Sequence, residues 1–239
     1  MKTAIVLFLL AFSLAAQPKK KSEPFWAKVL RFAGVSATPS SLRGGEKAAS
    51  GDVWLAAAAP KPMLQRLTLN GGYNSPVFDS DDQSVLAIKD GDFYRIPLKD
   101  DAPTKVRSLT GVSKLVGISR DDADLLLVVT KDSQGGPGAA LLSIKTGAIA
   151  AIPHEPQSKE DEMMLAHLAG WERVFGDVRL YCEDNEKEAA GGSTIRFTDV
   201  YLKRGRDPSI NLTNGSGISS CQPSLSSDGK LVVFIRATR

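Results

Sequence analysis

From Gly51 onward the chain alternates short apolar runs of five to eight residues with clusters of turn-forming residues. Val85-Leu86-Ala87-Ile88, Leu125-Leu126-Leu127-Val128-Val129 and Leu231-Val232-Val233-Phe234-Ile235 are three such runs. They are too short for ordinary helices and rich in β-branched residues, so the pattern predicts strands. Many short strands at regular spacing imply an all-β sandwich, barrel or propeller. Upstream the texture differs. Residues 17–50 read as a tail and linker, with Lys19-Lys20-Lys21, a stretch of small residues and proline over 36–41, and Gly44-Gly45. Within it, Phe25 to Val35 is amphipathic: Phe25, Val29 and Phe32 share a helical face, Trp26, Leu30 and Ala33 flank it, and Lys28 and Arg31 lie between. Two readings stand, a short helix packed on the main domain and a docking segment for a partner or a membrane surface.

Repetition chooses among the all-β architectures. Asp79-Ser80-Asp81-Asp82, Ser119-Arg120-Asp121-Asp122 and Ser226-Ser227-Asp228-Gly229 each precede an apolar run, and Asp81, Asp121 and Asp228 are spaced by 40 and 107 residues. An acid-apolar-aromatic signature, Asp52-Val53-Trp54, Asp92-Phe93-Tyr94 and Asp199-Val200-Tyr201, keeps the same steps of 40 and 107. A third marker, Leu67-Thr68, Leu109-Thr110 and Leu212-Thr213, closes the units. Units of ~40 residues that cannot bury both faces alone, but can when stacked around an axis, describe a propeller. Blade one is expected over 75–110, blade two over 112–153 and a degenerate blade three over about 163–213, with the acidic residues between Glu183 and Gly192 as an inserted loop. A split fourth blade takes inner strands near 221–226 and 230–237 and outer strands near 52–58 and 63–69. The expected fold is thus a small propeller of about four four-stranded blades, closed by pairing of N- and C-terminal strands.

The unit Gln222-Pro223-Ser224-Leu225-Ser226-Ser227-Asp228-Gly229-Lys230-Leu231-Val232-Val233-Phe234, preceded by Asn211-Leu212-Thr213, resembles the TolB-type propeller repeat. Ser75-Pro76-Val77-Phe78-Asp79-Ser80-Asp81-Asp82 is a second copy, and Leu115 to Asp122 a third that lacks the proline. The resemblance covers residues 51–239. It implies an exported propeller that binds partners, or one that accompanies a hydrolase, peptidase or lyase system.

The first residues fit an export signal: Lys2, an apolar run from Ala4 to Phe12, then Ser13-Leu14-Ala15-Ala16 as a small-residue cleavage region, giving a signal peptide over 1–16. No later stretch is long and apolar enough to suggest a transmembrane helix, and a peripheral membrane contact would fall on residues 19–35. The expected location is periplasmic or secreted. In such a compartment Cys182 and Cys221 could bridge or remain separately buried thiols. A formal net charge of +3 gives no field that points to nucleic acid. The histidines are His154 and His167, and no Gly-x-Ser-x-Gly elbow occurs, so a serine-hydrolase triad is not expected. The adjacent carboxylates Asp81/Asp82 and Asp121/Asp122 recur at repeat turns and read as structural. No metal spacing and no cofactor motif emerge. The expectation is a non-enzymatic module that binds a protein of the cell envelope, with Phe25 and Trp26 in the tail, and Tyr73 and Asn74 in an inter-blade loop, as candidate contacts.

Overall fold

The computed structural model describes residues 50–99, 101–119, 122–131, 137–152, 178–189 and 191–238. These form four antiparallel sheets. Blade one contains four strands in sequence order: β3 (Tyr73–Phe78), β4 (Ser84–Lys89), β5 (Asp92–Pro97) and β6 (Thr104–Ser108). Blade two contains β7 (Val112–Ile118), β8 (Leu125–Lys131), β9 (Pro137–Ser143) and β10 (Ile149–Ala151). Blade three supplies β11 (Val178–Glu188), β12 (Thr194–Arg204) and β13 (Ile210–Asn211). The split blade has the order β14 (Ser220–Leu225), β15 (Leu231–Arg236), β1 (Asp52–Ala57), β2 (Leu64–Arg66). Strands from opposite ends of the chain therefore share one sheet, in a ladder from Asp52↔Arg236 to Ala57↔Leu231.

The uninterrupted apolar runs follow from the way the blades stack. In β4, Val85 and Ala87 point into a cluster shared with Val53, Leu55, Val233 and Ile235 of the split blade. Leu86 and Ile88, on the opposite face, join Leu115, Leu126, Val128, Ala140 and Leu142 of blade two. In β15, Val233 and Ile235 face blade one while Val232 and Phe234 face Val200, Leu202 and Leu212 of blade three. A strand buried on both faces needs apolar residues at every position rather than every second one. Three seams are thus described, in the order blade three, split blade, blade one, blade two.

The repeat turns are built alike. The backbone N–H of Asp79, Ser119 and Ser226 donates to the carbonyl of Ser84 (2.9 Å), Leu125 (2.8 Å) and Leu231 (2.9 Å) respectively. Asp82 and Gly229 occupy the same place in their turns with φ of 52° and 72°, a conformation that Gly adopts freely and Asp tolerates. The inner strands carry a second repeated feature. Ser75 and Gln222, each just before a proline, have φ of 51° and 56° and sit in a bulge of β3 and β14.

Two expectations need correction. The acidic segment is not a loop: β11 runs on through Glu183 to Glu188 and pairs residue by residue with β12 as far as Glu188↔Thr194. Both faces of this outer length meet water, so charges are compatible with the strand, and cross-strand bonds hold it (Arg196 Nε to Glu186 Oε1, 2.8 Å; Thr198 Oγ1 to Asp184 Oδ1, 2.9 Å). In addition, the turn cluster Gly135-Gly136-Pro137-Gly138 suggests a hairpin loop between strands, but Pro137 and Gly138 belong to β9. The first strand position suits proline, whose missing N–H costs least there. The expected start of blade three at 163 and the glycines Gly135-Gly136 lie outside the described residues.

Cys182 of β11 and Cys221 of β14 form a disulfide with Cα atoms 5.7 Å apart, the usual span for a bridge. It crosses the seam between blade three and the split blade.

Candidate functional site

The signature aspartates organise the outer parts of their blades. Asp52 is 2% exposed. Its Oδ1 accepts from Thr68 Oγ1 (3.1 Å) and the Gly71 N–H (2.9 Å), and its Oδ2 pairs with the Arg66 guanidinium (2.5 Å). Thr68 Oγ1 in turn accepts from the Val53 N–H (2.9 Å). Arg66 also donates to the carbonyls of Thr68 (2.9 Å) and Leu69 (3.3 Å). These bonds tie the segment 66–71 to β1, and Leu69 is left 73% exposed. Gly71 and Gly72, with φ of 56° and 78°, turn the chain from there into β3. Asp199 repeats the device in blade three: Oδ1 accepts from Thr213 Oγ1 (2.5 Å), which accepts from the Val200 N–H (3.1 Å). Its Oδ2 is held by the amides of Asn211 (2.9 Å) and Asn185 (3.2 Å), in place of a cation.

The 66–71 segment forms one wall of a cleft of about 620 Å³ between the split blade and blade one. The opposite wall is formed by residues 97–99 and 101–103, and Gln65 Nε2 reaches across to the Leu98 carbonyl (3.5 Å). Leu69, Asn70, Lys99 and Asp101 line the cleft, so it offers apolar surface, both charges and amide groups together. Met63, at the other end of β2, is 85% exposed. Tyr73 lies at the cleft's inner end. Its ring meets Tyr94 edge-on at 5.8 Å, and Lys89 Nζ stands 4.7 Å from its centroid. Burial, then the neighbouring Tyr94 and Asp52, hold its hydroxyl above the ordinary tyrosine range, so it stays protonated and can donate a hydrogen bond.

Tyr73 and Asn74 are not in an exposed inter-blade loop. They open β3, because their pairing with Lys89 and Ile88 continues the ladder to its end. Tyr73 is 5% exposed, and the Asn74 Oδ1 is buried without a partner among the described residues. At the corresponding place in β7, 40 residues on, stands Lys114, half-buried, whose ammonium burial holds below the ordinary lysine range. Phe25, Trp26, the stretch 19–35, the signal segment 1–16, His154 and His167 lie outside the described residues. The carboxylates at the repeat turns have structural partners: Asp81 accepts from the Gln83 N–H (2.8 Å), Asp122 from the Asp124 N–H (2.9 Å) and Asp82 from the Ser227 N–H (2.9 Å). Among the described residues, no group of three His, Cys, Asp or Glu side chains could hold a metal ion, and no described helix is long and apolar enough to cross a membrane.

Sequence reasoning missed Met63, Leu69 and Lys99. A signal existed for Leu69. An apolar residue between a strand-closing threonine and Asn70-Gly71-Gly72 has no strand in which to be buried.

No protein-family model and no curated protein matches the chain. Among solved structures it is similar to a putative TolB from Agrobacterium tumefaciens, with 18% identity and a TM-score of 0.34, over 75% of this chain and 59% of that one. It is also similar to an acylaminoacyl peptidase from Pyrococcus horikoshii, with 10% identity and a TM-score of 0.27, over 67% of this chain and 27% of that one. The chain thus spans less than two thirds of either structure.

Proposed function

We propose that this propeller is a non-catalytic binding module of the cell envelope, and that the cleft between the split blade and blade one receives a protein partner. The observation that supports this most is Leu69, 73% exposed at the cleft on a loop that Arg66, Thr68 and Gly71 tie to Asp52. An exposed apolar side chain on a rigid loop loses little conformational entropy when covered, which favours its use as an anchor. Lys99 and Asp101 supply a surrounding surface of mixed character, as at a protein-binding rim. The apolar leader of the sequence and the disulfide both suit a location outside the cytoplasm.

The test is affinity capture from a periplasmic or secreted extract with the wild type and a Leu69→Asp variant, whose solvent-facing change leaves the sheets intact. The wild type is expected to retain a specific partner that the variant loses by tenfold or more, with an unchanged thermal midpoint. An identical partner set for both proteins would reject the cleft. Turnover of peptide or polysaccharide substrates by the purified wild type would reject a non-catalytic role.

A further inference from the structure

The outermost strand of each blade has one edge that no other described strand covers, and such edges invite pairing unless charge, proline or brevity protects them. Three of the four are protected. β2 carries Gln65 and Arg66, β6 carries Lys105 and Arg107, and β13 is only two residues long. β10 is the exception. It consists of Ile149-Ala150-Ala151, all three exposed, Ile149 by 42%, with no polar side chain. It is anchored by Ile152, which is 6% exposed and donates its N–H to the Ala139 carbonyl (2.9 Å).

The hydrogen-bond phase of β10 can be read from its ends. The Ser143 N–H donates to the Ala148 carbonyl (2.9 Å), and the Ile152 N–H to that of Ala139. Residues 148, 150 and 152 therefore direct their backbone groups toward β9, while Ile149 and Ala151 direct theirs outward. Two residues with outward N–H and C=O groups, symmetric about Ala150, form a self-complementary edge. We infer that β10 is a homodimerisation strand: a second copy of the chain lays its own β10 antiparallel against it, on a two-fold axis through Ala150. In that register Ile149 faces the partner's Ala151 and Ala151 faces the partner's Ile149. Each pair exchanges two N–H···O=C bonds, and the two four-stranded blades become one eight-stranded sheet.

A second copy suits this edge better than a foreign strand. Added strands gain specificity from pockets for alternate side chains, and the small, exposed residues of β10 form none. Symmetric self-pairing needs only the strand itself, and two-fold contacts are the commonest kind between like chains. The strand carries no charge to repel its copy. A seam of three residues a side lies far below the roughly 1,200–2,000 Å² of a stable interface, so the dimer is weak, half-formed at a concentration on the order of 100 µM.

The axis supplies the test. Ala150 faces its own copy across a non-hydrogen-bonded position, where side chains come closest and like charges destabilise most. Sedimentation velocity of the full chain over about 10 µM to 1 mM should show the wild type dimerising. Ala150→Lys and Ala150→Glu alone should each weaken the dimer at least tenfold, and an equimolar mixture of the two should recover it. Exchange of the Ile149 and Ala151 amides should slow as concentration rises, while that of Ala150 stays constant. Position 150 is exposed, and an unchanged thermal midpoint would show that both variants fold. A wild type that is monomeric throughout the range, variants that dimerise like the wild type, or a mixture that stays monomeric would each overturn the assignment.

Discussion

Against blade one, the split blade is held by a seam repeated in backbone detail. The Ser75 N–H donates to Gln222 Oε1 (2.6 Å), joining two equivalent inner-strand bulges. The Ser227 N–H reaches Asp82 (2.9 Å), joining two equivalent turns, and Gly51 and Tyr73 exchange two backbone bonds of 3.0 Å. Against blade three, the polar bonds are less regular: the Thr198 N–H to Ser219 Oγ (3.3 Å), and Arg204 to the Gly229 carbonyl. Blade one contributes Tyr73, Phe78, Val85, Ala87 and Ile96 to its apolar seam, whereas blade three contributes Val200, Leu202 and Leu212. The disulfide crosses the seam with the smaller apolar contribution. Where side chains from both blades fill the seam, matched turns suffice; where one blade supplies less, a covalent link adds to it.

The strongest way to break this comparison is to remove the cross-link. Closing a loop of 39 residues restricts the unfolded chain by about 4 kcal/mol. Cys182→Ser/Cys221→Ser should therefore lower the urea midpoint accordingly. Amide exchange should accelerate in β11 and β12 before β3 and β4, and equal acceleration in both blades would show that the two seams do not differ. The opposite seam is probed by Gly51→Ala. A Cβ at Gly51 would collide with the Arg236 carbonyl, a backbone atom that cannot rotate aside. A cost of about 1–3 kcal/mol is expected, with exchange faster at Tyr73 and unchanged in β11.

The smallest effect is pH-dependent and belongs to the split-blade turn that touches Asp82. The Lys230 N–H, the Ser226 hydroxyl and the Lys230 ammonium hold Asp228 down at about 2. A carboxyl with a lower value in the folded than in the unfolded state stabilises fully above its unfolded value. That contribution disappears as pH falls through the folded value. Acidification from about pH 4 to 2 should thus lower the thermal midpoint of the wild type more than that of Asp228→Asn. Parallel curves would show that the carboxylate does not contribute. Asp92 and Asp124, also held low by hydrogen bonds, give the same sign.

The sequence made the repeats legible because they are carried by residues that few alternatives can replace. An aspartate that must accept from the outer strand, and a turn residue that must tolerate positive φ, leave their spacing in the chain. The chain-end pairing was legible for the same reason, since Asp52 and Asp228 mark two parts of one unit. The length of β11 was not. Glu183, Asp184, Glu186 and Glu188 look like solvated loop residues because charge reports exposure, and an outer strand with two wet faces is equally exposed. The cleft depends on Leu69 lying opposite Lys99 and Asp101, a distance across two blades that no local pattern encodes. Tyr73 did reach the cleft, but as a residue of its buried inner end rather than as an exposed loop contact.

The ladder between β1 and β15 also sets a schedule for synthesis. Val53 meets Ile235, so one strand leaves the ribosome about 180 residues before its neighbour. At about 5–20 residues per second, β1 can pair with β2 at once but waits roughly 10–40 s for its other neighbour. Throughout that interval one apolar strand edge stays open, and completion of the last blade is the step that closes it.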